Sequence, residues 1–189
     1  MWIWLFIGTL PAAALGWYLL DFYERAAKSA TAAGAGLLGT ALLLLWGEWG
    51  RRRNPENPPE NIAPGYGEPR WSDALVLGVA QALALLPGVS RSGSTIAAGM
   101  VRGLPALQAA RLSFLLSIPA VLGAAVLKLP DALKGDSGYS VPLLLAGAFV
   151  AGLVGWGALR ALVLTLARGA FVWFALYCAL LGVAALVLF

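Results

Sequence analysis

Nine consecutive residues, Pro87-Gly88-Val89-Ser90-Arg91-Ser92-Gly93-Ser94-Thr95, gather one guanidinium, four hydroxyls and two glycines. That donor set suits an anion. The planar fork of Arg91 matches phosphate oxygens bidentately. Gly88 and Gly93 let the backbone turn N–H groups toward one centre. Ser92 or Ser94 is placed to cap a helix beginning near Thr95, whose N-terminus would add a positive dipole end. The flanks, Ala74–Leu86 and Ile96–Val101, are apolar. An arginine between apolar arms is costly and by default marks a functional site. The plainer reading is a capped helix break with Arg91 paired to a carboxylate or to carbonyls, but four hydroxyls exceed what a cap needs. The expected site is therefore a phosphate-binding loop whose donors converge on one anion, with Arg91 its key group and Gly88, Ser90, Ser92, Gly93, Ser94 and Thr95 around it.

Other chemistries are excluded or weak. The spacing Gly88-x4-Gly93-Ser94-Thr95 approaches a nucleotide-binding loop, but Ser94 stands where the lysine belongs and no strand is expected before it. There is no histidine, which removes histidine-dependent triads and His-ligated metals, and the one cysteine, Cys178, lies in an apolar run. No metal-ligating set is identified, since no Asp or Glu falls between Asp73 and Asp131.

The elements that position this loop are membrane elements. Hydrophobic residues make up 60% of the 189 and charged residues 12%, far from the balance of a soluble domain. The net charge of +4 is carried in short loops between apolar runs, the pattern of topology signals and not of a nucleic-acid patch. The start lacks a basic region before its apolar stretch and reads as a retained span. The expectation is an all-α integral membrane protein forming one membrane domain, 1–189. Residues 2–48 hold two spans (2–20 and 30–47) around a short polar loop, Asp21–Ser29. A polar, proline-rich loop fills 49–72, and three more spans fill 105–189, at 105–127, 141–159 and 171–189.

Between them, residues 73–102 read as a re-entrant helical hairpin, because each apolar arm is too short to cross a bilayer. If the hairpin returns to the side it enters, Arg51, Arg52, Arg53, Arg70, Arg102, Arg160 and Arg168 share a face, and the basic excess makes that face cytoplasmic. GTLPAAALG at 8–16 echoes LSIPAVLGA at 116–124, which places Pro11 against Pro119 and suggests a repeat whose first hairpin is missing. The plainer reading of the echo is chance likeness between Pro-Ala-Gly spans.

The segment LVLGVAQALALLPGVSRSGSTIAAGMVRGLPALQAARLSFLLSIPAVLGA resembles the second signature of the bacitracin-resistance family, the undecaprenyl-diphosphate phosphatases. The resemblance implies an inverted-repeat fold with two re-entrant hairpins meeting in the membrane. It implies hydrolysis of polyprenyl diphosphate to the monophosphate in cell-wall carrier-lipid recycling, in a bacterial plasma membrane, with a divalent cation (Mg²⁺ or Ca²⁺). It assigns action on the diphosphate to Ser90, Arg91 and Thr95. The family's other signature, a glutamate pair followed by a serine and a histidine, should precede residue 1 and is absent. The chain is thus expected to need a missing N-terminal half, or a homo-oligomer, for full turnover. The alternative function is non-catalytic binding or translocation of polyprenyl phosphate.

Gln81 stands where this signature normally has glutamine; it bonds a loop group, bonds the lipid headgroup, or serves as packing glue. Arg111 is expected to be a snorkelling anchor, and Glu48 an interfacial partner of Arg51–Arg53. Trp2, Trp4, Trp17, Trp46, Trp49 and Trp71 are expected in interfacial belts.

Overall fold

A computed structural model describes residues 2–18, 22, 25–53, 70–133, 141–167 and 171–188. The described residues form seven helices and no strand: α1 (Trp2–Tyr18), α2 (Ala30–Arg53), α3 (Trp71–Leu83), α4 (Arg91–Val101), α5 (Ala106–Leu133), α6 (Val141–Ala167) and α7 (Phe171–Leu188). The segments Ala30–Arg53, Ala106–Gly123, Pro142–Leu166 and Phe171–Leu188 are long and apolar enough to cross a membrane. α1, with 17 residues, reaches about 26 Å, slightly less than the hydrocarbon thickness of about 30 Å. Pro11 lies inside α1 without ending it.

Three helices run past their expected ends: α5 reaches Leu133, α6 reaches Ala167 and α2 reaches Arg53. α2 does so through residues whose polarity predicts loop. The Glu48 carboxylate accepts from Arg51 Nε at 2.9 Å and Nη2 at 2.6 Å, and from Arg52 Nε at 3.1 Å. These are neighbours one helical turn apart, and cations suit a helix C-terminus. Arg53 instead lies over the Trp49 ring, 3.7 Å from its centroid. The interfacial pairing of Glu48 with Arg51 and Arg52 is as expected. The rest of the proline-rich loop, 54–69, lies outside the described residues, as do 19–21, 23–24, the 134–140 connection and Arg168.

α3 and α4 form a helical hairpin of 13 and 11 residues, about 20 and 17 Å long. Its open end is latched. Arg102 Nε donates to Asp73 Oδ1 at 2.9 Å and Nη2 donates to Ser72 Oγ at 3.1 Å. The other Asp73 oxygen accepts the Arg70 backbone N–H at 2.9 Å. The Trp4 indole donates to the Arg70 carbonyl at 3.0 Å, which ties the start of α1 to the same end.

Each arm lies in its own apolar cluster. Ala74 and Leu77 of α3 pack with Trp4 and Leu5 of α1 and with Leu112 and Leu116 of α5. Ile96, Ala97 and Met100 of α4 pack with Leu44 of α2, Ala109 of α5 and Phe171 of α7. α5 therefore touches both clusters and braces the hairpin from behind. Small residues make the approaches close. A Cβ on Gly78 would stand 2.4 Å from the Gly8 carbonyl oxygen, and one on Gly182 would stand 3.0 Å from that of Gly34. α6 packs mainly on α5 and leaves side chains such as Phe149 and Trp156 exposed.

Candidate functional site

The bend of the hairpin, residues 84–90, rests on the N-terminal half of α2, between Ala33 and Thr40. Gly88 has φ +80°, a left-handed conformation that glycine adopts without penalty. A Cβ there would stand 2.0 Å from the Ala33 carbonyl oxygen, and one on Gly36 would stand 1.9 Å from that of Pro87. Two glycines, one on each side, thus let the bend touch the α2 backbone.

Thr40 fixes the contact. Its hydroxyl accepts the Ser90 N–H at 2.9 Å and has two carbonyl acceptors for its own proton, Gly36 O and Gly88 O, each at 3.0 Å. The first is the usual bond of a helical threonine to the preceding turn; the second crosses to the bend. Thr40 is 1% exposed. Sequence reasoning missed it.

α4 begins at Arg91, four residues before the expected start, and its cap is Ser90, not Ser92 or Ser94. The Ser90 side chain accepts the Gly93 N–H at 3.2 Å. Ser92, Gly93, Ser94 and Thr95 therefore lie in the first turns of a helix and not in an extended loop. The consequence is a division of the hydroxyls. Ser94 donates to the Ser90 carbonyl at 2.8 Å. Thr95 lies near the carbonyls of Arg91 and Ser92, at 2.9 and 3.3 Å, and shares a 2.5 Å hydrogen bond with Ser113 of α5. Ser94 and Thr95 are both buried to 1% exposure. They join α4 to its own turn and to α5.

Arg91 and Ser92 are half-buried, as are Pro87 to Ser90 before them, whereas Gly93, Ser94 and Thr95 are buried. Among the described residues nothing pairs with the Arg91 guanidinium, and the N–H groups of Arg91 and Ser92 have no acceptor. One guanidinium and two free amides at a helix N-terminus form a positive pole suited to an anion. The expected alternative, Arg91 paired to a carboxylate, is not what these residues form: Glu48 is taken by Arg51 and Arg52, and Asp73 by Arg102. Arg111, on α5, is exposed.

Gln81 of α3 is 1% exposed, and both its Nε2 and Oε1 lack a partner. Of its expected roles, bonding a loop group is not made here. A buried unsatisfied amide costs about 1–3 kcal/mol for each orphaned group.

The donor set does not fit a divalent cation. Hard cations take carboxylate, carbonyl and water oxygens, whereas this pole offers a guanidinium and N–H groups. The described residues hold no cluster of three or more Asp, Glu, His or Cys. The cation implied by the resemblance would need carboxylates brought from outside this loop.

Comparison with known proteins agrees with the signature. The family model described as bacitracin resistance protein BacA matches residues 1–184. A protein of Carboxydothermus hydrogenoformans named undecaprenyl-diphosphatase is 39% identical over 184 residues, covering 96% of this chain and 67% of that protein. One of Desulfatibacillum aliphaticivorans with the same name is 38% identical over 181 residues, covering 96% of this chain and 62% of the relative. A third, from Methanothermobacter thermautotrophicus, is 40% identical over 179 residues, 94% of each chain. The chain thus spans under two thirds to about two thirds of the first two relatives and nearly all of the third. With four helices long and apolar enough to cross a bilayer and a family match over almost its whole length, the chain belongs to the BacA family of multi-pass membrane proteins.

Proposed function

We propose that this chain acts on undecaprenyl diphosphate or a close polyprenyl diphosphate, releasing the terminal phosphate to leave the monophosphate in the plasma membrane of its cell. The carrying observation is the unpaired Arg91 guanidinium beside the free N–H groups of Arg91 and Ser92. The names of the matched relatives supply the substrate class.

In this reading the hairpin is re-entrant and enters from the cytoplasmic side. Its arms are too short to span, its bend lies against the N-terminal half of α2, and its mouth is closed by the Asp73–Arg102 pair at the arginine-rich end. The bend then lies at membrane depth, where non-helical backbone is tolerated because protein covers it. Arg91 neutralises the diphosphate oxygens as charge moves toward the leaving phosphate, and the amides fix their orientation. Ser90 or a water molecule attacks the terminal phosphorus as its bond to the bridging oxygen breaks and the polyprenyl monophosphate leaves; on the Ser90 route, water then hydrolyses the phosphoserine to release phosphate. Ser90 Oγ already accepts the Gly93 N–H, so a Ser90 nucleophile would give up the cap at the moment of attack; water keeps it. Gln81 meets the diphosphate or its first prenyl carbons with an amide that otherwise stays unpaired. The general base has no owner among the described residues at the bend, so turnover draws on a carboxylate outside them: elsewhere in this chain, in a further segment or in a second copy.

Phosphate release from undecaprenyl diphosphate tests this. The purified chain is assayed alone and with the unmatched segment of the Carboxydothermus relative, across a range of Mg²⁺ and Ca²⁺. Slow release that rises when the segment is added supports the reading. Release equally fast from the chain alone would overturn the missing-carboxylate argument, and no release under any condition would overturn the phosphatase reading.

A further inference from the structure

We infer that Thr40 is a positioning residue for the anion pole, setting where α4 begins and so which amides remain free; the inference rests on the reading of Arg91 and Ser92 as the diphosphate-binding groups. Thr40 comes from a different helix, 48 to 50 residues before the groups it holds. Its hydroxyl oxygen has two jobs at the bend. As an acceptor it takes the Ser90 N–H at 2.9 Å, and as a donor it serves the Gly88 carbonyl at 3.0 Å.

Those two groups are the ones that would otherwise compete with the ligand. A helix grown one turn backward would bond the Ser92 N–H to the Gly88 carbonyl, the i to i−4 pattern, and the free donor would be lost. An unheld Ser90 amide would turn with its residue and carry the Ser90 cap off Gly93. Thr40 occupies the first and anchors the second. The left-handed φ of Gly88 makes the same break from the backbone side. The buried pair of Thr95 and Ser113 holds the other side of the turn against α5. The result is a helix start fixed from two neighbours, with the Arg91 and Ser92 amides and the Arg91 side chain left over.

A single methyl-for-hydroxyl exchange separates positioning from bulk packing. Thr40→Val keeps the shape and removes the oxygen; Thr40→Ser keeps the oxygen and removes the methyl. The probes are farnesyl diphosphate and farnesol, titrated calorimetrically against the purified full chain in detergent, with thermal unfolding measured in parallel. Thr40→Val is expected to weaken farnesyl diphosphate binding at least tenfold and to leave farnesol binding within about threefold, the size expected when buried groups lose one hydrogen-bond partner. Thr40→Ser is expected to bind both like wild type.

Equal loss of both probes, or loss in Thr40→Ser matching that in Thr40→Val, would mean that Thr40 only packs, and would overturn the inference. So would Thr40→Val binding the diphosphate as wild type does. If Thr40→Val is not recovered folded, Thr40→Cys replaces it; its weak S–H group should give an intermediate loss for the diphosphate alone, and wild-type binding would again overturn the inference. Arg91→Ala distinguishes the two levels. If it binds farnesyl diphosphate normally, the reading of the pole fails; if it does not bind while Thr40→Val does, only the role of Thr40 fails.

Discussion

Gly36→Ala should destabilise the protein and impair diphosphate binding, although helix propensity alone predicts the opposite. Gly36 is inside α2, and alanine there should favour the helix by up to about 1 kcal/mol. The added methyl, however, would stand 1.9 Å from the Pro87 carbonyl oxygen. A tolerable carbon–oxygen contact is about 3.3 Å, so the bend must move away by about 1.4 Å. The Thr40 bonds to Ser90 N and Gly88 O, now 2.9 and 3.0 Å, would then both be lost. Leaving the buried groups on both sides unsatisfied costs about 1–3 kcal/mol per group. With two such groups and net of the propensity gain, the change should destabilise by about 1–5 kcal/mol.

Gly39→Ala, on the same helix, is the control. Nothing lies within 4 Å of a Cβ there, so propensity acts alone and the variant should be as stable as wild type or slightly more so. Thermal unfolding in detergent compares the two, with farnesyl diphosphate titration as the functional readout. A Gly36→Ala protein that melts at or above wild type and binds undiminished would refute the contact between the bend and α2.

Three further outcomes are expected. Gln81→Leu removes an amide whose two polar atoms are buried and unpaired; it should raise the melting temperature, by about 1–3 kcal/mol of stability, while weakening diphosphate binding, and a fall in stability would show that the amide is satisfied. Cysteines placed at Trp71 and Arg102, in a protein with Cys178 replaced, should react with an impermeant thiol reagent from the same side as one at Arg52; labelling from opposite sides would exclude the re-entrant hairpin. Asp73→Asn leaves Arg102 without its charged partner and should increase proteolysis or hydrogen exchange at the mouth of the hairpin, and unchanged protection would mean that the latch contributes nothing.

The make-up of the candidate site was legible because its physics is local. A guanidinium between short apolar arms, next to glycines and hydroxyls, offers the donors an anion needs. The hairpin followed from arm length alone. The start of α4 was less legible: Ser90, Ser92 and Ser94 can all cap, and only contact with α2 selects Ser90. Polarity misled at Arg51–Arg53, because Glu48 one turn earlier extends the helix through them. Thr40 was hidden for a different reason. A threonine inside an Ala-Gly-Leu span ordinarily bonds its own preceding turn, and Thr40 does so, at the Gly36 carbonyl. Its second bond spans 48 residues and leaves no mark in local composition. The available sign was the face formed by Ala33, Gly36 and Thr40, small residues at helical spacing that end in a hydroxyl. The partition of Ser94 and Thr95 into packing was equally hidden, since Ser113 lies 18 residues beyond Thr95 on another helix.

The central claim is that Arg91 holds the diphosphate through its planar fork at the start of α4. Calorimetric titration of farnesyl diphosphate into wild type, Arg91→Lys and Arg91→Ala, each confirmed folded by thermal unfolding, tests it most directly. A bidentate site predicts that lysine, which keeps the charge but loses the fork, recovers only a small part of the affinity lost in the alanine variant. Near-wild-type binding by both variants would contradict the account.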